Sequence, residues 1–201
     1  MPKDTFLNLS EDKKNKIINA AKKEFARVPI EEASIKNIVE EAEIARGSFY
    51  QYFESKEDLL KYFIQEEIVN MKNIVEEIDN KNLDFFETVN QSIYSLLKYR
   101  KDKDFLNIIT KEAEWLKNPV IINSLELIDT QIQNYIKTKL EKAKENGYID
   151  YKNADITSFL IYKMYIALMF EWNEHEKELD EQMIASSISE ILKNGLRKDV
   201  D

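Results

Sequence analysis

The chain has 201 residues, no cysteine, one histidine and a formal net charge of −9, with 43% hydrophobic and 33% charged residues. These totals exclude disulfides, thiolate metal sites, cysteine nucleophiles and a histidine-rich metal centre, and they fit one large helical domain or a small one joined to a larger one. Residues 1–56 are neutral, so the rest of the chain holds the acidity; any nucleic-acid contact must use a small local face.

In chain order, hydrophobic spacing predicts helices and no strands. The first runs over 10–27, with Ser10 as N-cap, Glu11 and Asp12 in the first turn, and Ile17, Ala21 and Phe25 as its apolar stripe. Pro29 separates it from a second helix over 34–42, striped by Ile35, Ile38, Val39 and Ala42. A short turn, Glu43-Ile44-Ala45, leads into "ARGSFYQYF" (45–53), which contains one of only three glycines. Ser55 to Asp58 reads as a capping box opening a long helix towards Ile78. Further helices are expected near 82–100, 103–116, 119–145, 153–174 and 179–194. Asn118-Pro119 marks a start; Asn146-Gly147 and Asn194-Gly195 mark ends.

Placed on a helix, 47–53 turns Phe49 and Phe53 inward beside Ile35, Ile38, Val39 and Ile44. Gly47, Ser48 and Gln51 fall opposite, with Tyr50 and Tyr52 on the two flanks. Core packing accounts for the two phenyl rings alone. The remaining residues suit a recognition helix: small residues admit the backbone to a groove, Gln51 reaches a base edge, and tyrosine hydroxyls bond phosphates. Ser34 with Lys36 at one helix start, and Lys56 at another, lie to hold phosphates. The short turn joining the two helices is that of a helix-turn-helix.

Residues 17–60 resemble the N-terminal DNA-binding domain of the TetR family of transcriptional regulators. The resemblance rests on Phe25, on Ser34-Ile35-Lys36 with Ile38, on Arg46-Gly47-Ser48-Phe49-Tyr50-Gln51-Tyr52-Phe53 and on Ser55-Lys56-Glu57. It implies that Tyr50, Tyr52 and Lys56 mostly hold phosphates while Arg46, Ser48 and Gln51 mostly read bases. Glu43 departs from it, standing where the family often has glycine. In a left-handed conformation it costs roughly 1 kcal/mol more than glycine.

The expected architecture is therefore all-α: a helix-turn-helix head over 8–56 and a six-helix body for effector binding and dimerisation over 57–201. Residues 159–170 are apolar nearly all round, apart from Lys163. That run is too short for the ~20 residues of a membrane span. A homodimer interface is expected from Phe159, Tyr162, Ile166 and Phe170 together with Ile184, Ile188, Ile191 and Leu192. Most body aromatics are core; the resemblance implies an effector pocket among Phe85, Tyr94, Phe105, Trp115, Tyr135, Tyr162 and Tyr165. Glu171 and His175, at i and i+4, read as a solvated helix end rather than a metal site. No cofactor is expected. Without a signal-like N-terminus, the expected location is the cytoplasm.

The expected function is a regulator, a repressor in most of the family, that binds a palindromic double-stranded operator as a homodimer and is released by a small, mostly apolar effector. The alternative is a helical ligand carrier or enzyme whose N-terminal bundle is structural only. The missing cysteine and single histidine weigh against enzymatic work.

Overall fold

The computed structural model describes residues 2–99, 108, 119–171 and 180–196, the side chains of 119–128 and 169–171 excepted. Of the helix expected over 103–116, Ile108 alone is among the described residues, helical and buried; Phe105 and Trp115 lie outside them. So do His175 and the side chains of Phe170 and Glu171. The regular elements described are helices: α1 Asp4–Leu7, α2 Glu11–Arg27, α3 Ile35–Glu41, α4 Arg46–Tyr52, α5 Lys56–Asp79, α6 Phe85–Tyr99, α7 Pro119–Glu145, α8 Ala154–Glu171 and α9 Glu181–Leu196. No helix among the described residues is long and apolar enough to cross a membrane. The chain divides into two compact units, Met1–Asn70 with Asp102–Leu125, and Met71–Lys101 with Glu126–Asp201.

The first unit buries apolar side chains from each of its longer helices. Ile17, Ala21 and Phe25 of α2, Ile38 and Val39 of α3, Phe49 of α4, Phe53 just after it, and Leu59, Leu60 and Phe63 of α5 are all buried. Each such large side chain stabilises the fold by about 1.5–3 kcal/mol through burial. Helix α2 starts after Ser10 as expected, but the Ser10 side chain makes no capping bond. Its backbone carbonyl accepts from the Lys13 and Lys14 N–H groups, and acidic Glu11 and Asp12 complement the helix dipole. At α5 the Asp58 N–H donates to Ser55 Oγ at 3.3 Å, while Asp58 Oδ2 accepts from Glu54 N–H rather than from Ser55. The capping box is thus half made and shifted by one residue.

The sequence reading missed α1. Its Phe6 is fully buried, with its ring centroid 4.7 Å from that of Phe53 and 5.3 Å from that of Tyr62.

In the second unit, α9 packs against α6. Ser189 Oγ donates to the Phe86 carbonyl at 3.1 Å. A further core forms around Leu140, Ala143 and Ile149, with Phe85, Phe86, Ile136, Tyr151, Ile161 and Leu196 packed on it. Gly147 ends α7 at φ 76°, and the Tyr148 N–H bonds the Ala143 carbonyl at 3.0 Å, the left-handed ending expected at Asn146-Gly147. Gly195 does not end a helix: α9 runs through it to Leu196, which packs on the core and whose carbonyl accepts from Asp150 N–H at 2.7 Å.

The expected dimer stripe splits. Ile184, Ile188 and Leu192 are buried within the protomer, on a helix that packs against α6. Tyr162 is also buried, at 2% exposure. Left outward are Ile191 and Met183 on α9, and Ile156, Phe159 and Leu160 on α8. Ile166 is half-buried.

Candidate nucleic-acid interface

Helix α4 presents two different sides. Phe49 and Phe53 are fully buried, whereas Arg46, Gly47, Tyr50 and Gln51 are exposed and Ser48 is half-exposed. A methyl group added at Gly47 would meet nothing within 4 Å. Glycine inside a helix costs about 0.5–1 kcal/mol relative to alanine. Packing among the described residues does not require a glycine here.

Beside this face, Ser34 caps α3. Its side chain accepts from the Asn37 N–H at 3.4 Å. Lys36 is 70% exposed and only loosely paired, at 3.7 Å, with Glu40. The angle between α2 and α3 is fixed by Glu24, which is 5% exposed. Its carboxylate accepts from Arg27 Nε at 2.9 Å and Nη2 at 2.7 Å, from Ser34 N–H at 2.8 Å and from Asn37 Nδ2 at 3.2 Å. The Arg27 hydrogen bonds, more than any other contact, hold this carboxyl below its usual range. Sequence reasoning missed Glu24. Glu-Lys-rich helices offer many such acids, and the contact that singles it out spans ten residues.

Two expected phosphate ligands sit differently. Tyr52 is buried, because Phe6 covers it at 6.1 Å between ring centroids and turns a helix flank into core. Lys56 is folded back, its ammonium donating to the Glu31 carbonyl at 2.7 Å and the Ala33 carbonyl at 3.1 Å. It ties the start of α5 to the turn before α3. Tyr50 stays outward, 44% exposed, with its ring in a T-shaped contact with Phe49.

Glu43 is left-handed, at φ 56°. The Ile44 N–H bonds the Val39 carbonyl at 3.0 Å and closes α3. The carboxylate is not unaccompanied, since Lys16 of α2 donates to it at 2.6 Å.

Among the body aromatics, Phe85 belongs to the core described above. Tyr94 is half-buried, with the Lys98 ammonium 5.9 Å from its ring centroid. Tyr135 donates to Asp79 at 2.5 Å and Tyr162 donates to Asp129. Burial first, and then the carboxylate, pushes both phenols well above their ordinary range, so each remains a donor. Tyr165 is half-buried. No group of three or more acidic, histidine or cysteine side chains is placed to hold a metal among the described residues.

Residues 17–63 match the model for bacterial regulatory proteins of the tetR family. Along most of its length the chain is similar to the HTH-type transcriptional regulator YhgD of Bacillus subtilis (strain 168), with 27% identity over 188 residues, covering 94% of this chain and 98% of that protein. Its fold is shared with the fatty acid degradation regulator FadR of Bacillus halodurans, at a TM-score of 0.81 and 20% identity over 96% of this chain and all of that one. The FadR of Bacillus subtilis, solved in complex with stearoyl-CoA, superposes at a TM-score of 0.75 with 21% identity, over 90% of this chain and 98% of that one.

Proposed function

We propose, from the premise that the chain is a TetR-family transcriptional regulator, that it binds a palindromic operator as a homodimer and acts as a repressor released by a small, mostly apolar ligand. The observation that carries the DNA reading is α4 itself. Phe49 and, just after the helix, Phe53 are sealed in the core, while Arg46, Gly47, Tyr50 and Gln51 form an outward tip. The glycine in that tip faces open space, with nothing within 4 Å of where a side chain would begin. Gln51 has the length and the amide to read a base edge, and Arg46 and Lys36 bring the positive charge that an acidic chain must concentrate locally.

Dimerisation is supported by the apolar stripe left outward on α8. Ile156, Phe159 and Leu160 follow helical spacing and are 60%, 44% and 60% exposed. Exposed apolar side chains at that density favour a partner surface. Release by a ligand needs two states of different head spacing and a ligand that prefers one. A long-chain acyl-CoA is the first probe to try, since a protein of the same fold was solved with one.

The test is a gel shift with the DNA upstream of the protein's own gene, at low salt, with and without stearoyl-CoA. Retardation that the probe reverses supports the full reading. Retardation that the probe leaves intact keeps the DNA reading and removes this ligand class. A folded protein that retards nothing returns the chain to a ligand-carrying role.

A further inference from the structure

The carbonyls of a helix's last turn have no partners inside the helix. In α4 these belong to Phe49, Tyr50, Gln51 and Tyr52. The first is taken by the Phe53 N–H at 2.8 Å. The other three are taken from the other end of the domain: the Lys3 ammonium donates to the Tyr50 carbonyl at 2.9 Å, the Thr5 hydroxyl to the Gln51 carbonyl, and the Lys3 N–H to the Tyr52 carbonyl at 2.9 Å. Phe6 anchors this arrangement, fully buried between Phe53, Tyr52 and Tyr62.

A seven-residue helix does not hold its own shape in water. The start of α4 makes no side-chain cap, as Ala45 has nothing to offer. Its order must come from the buried phenylalanines and from its far end. There a cation meets the negative pole of the helix dipole. The carbonyls held by the Lys3 ammonium and the Thr5 hydroxyl belong to Tyr50 and Gln51, the residues whose side chains stand outward.

We infer that residues 3–6 are a positioning element for DNA reading, with Lys3 and Thr5 acting through α4 rather than on DNA. The inference rests on the DNA-reading role of α4 proposed above. Hydrogen exchange in the free protein separates the two. The variants are Thr5→Val, which keeps shape and charge, and Lys3→Met/Thr5→Val; both retain Phe6 and so the core.

Protection of the amides of residues 50–53 is expected to fall about tenfold in the double variant. In binding-site selection the same variant is expected to lose about tenfold in preference for the operator over random duplex. Thr5→Val is expected to lose part of both. Unchanged amide protection overturns the inference. So does lowered protection with undiminished base preference. A double variant that only reduces the salt slope by about one unit, with preference intact, makes Lys3 a phosphate ligand instead and also overturns it. Wild-type protein that holds no duplex at low salt overturns the underlying DNA reading, and the positioning role with it.

Discussion

Lys16 on α2 and Glu43 in the turn between α3 and α4 form an ion pair at 2.6 Å, and Glu43 holds that place at φ 56°. The backbone there favours glycine and gains nothing from a side chain. The carboxylate, held below its usual range by the Lys16 hydrogen bond, would otherwise stand beside the face proposed to meet phosphates. Glu43→Gly should therefore raise the melting temperature by about 2–4 °C, since the pair lost with it is exposed and contributes little. Lys16→Met should weaken low-salt DNA binding several-fold, and adding Glu43→Gln should restore much of that loss. A second substitution that restores nothing would show Lys16 acting on DNA directly.

Lys56 distinguishes a structural tie from a phosphate contact. With its ammonium on the Glu31 and Ala33 carbonyls, Lys56→Met should destabilise the first unit by about 1–2 kcal/mol in urea unfolding. The slope of log affinity against log salt should stay the same. A slope reduced by about one unit, without loss of stability, would return Lys56 to the phosphate role its sequence position implies.

Glu24 makes the head sensitive to acid. Its folded-state pKa lies below the ordinary 4.5, so unfolding takes up a proton once the pH falls into that range. The stabilisation is fully present above about pH 4.5 and is lost as the pH drops below it through the folded value. Glu24→Gln should lower the melting temperature at neutral pH by about 2–6 °C. It should also flatten the decline in stability below pH 4.5. A variant that melts like the wild type at neutral pH would show the Arg27, Ser34 and Asn37 bonds to be of no consequence.

On α8, Leu160→Glu places a charge in the outward apolar stripe without touching the protomer's core. Light scattering at micromolar concentration should find a dimer for the wild type and a 24 kDa species for the variant. A wild type already at 24 kDa removes the dimer.

Much of this was legible because it depends on local rules. Helix spacing located α2 to α6, and the glycine after Asn146 marked the end of α7 where a left-handed residue was needed. The inward turn of Phe49 and Phe53 followed from periodicity alone. The rest depended on contacts between residues distant in sequence. Tyr52 became core because Phe6 returns to cover it, and Lys56 turned inward because two carbonyls of the preceding turn lie within its reach. Glu43 made sense only once Lys16 was beside it. Gly195 shows the converse: a glycine permits a helix end without imposing one, and the packing of Leu196 carries α9 past it.

The central claim, that the outward tip of α4 reads DNA, is tested most directly by selecting binding sites from a random duplex library with wild-type protein and with Gln51→Ala. The wild type should enrich a palindrome whose half-sites lie about one helical turn, or a multiple of one, apart. Gln51→Ala should keep that spacing and relax the choice of base at one position in each half-site. A folded wild type that enriches no sequence, or a Gln51→Ala variant that enriches the same site with the same preference at every position, would contradict the account.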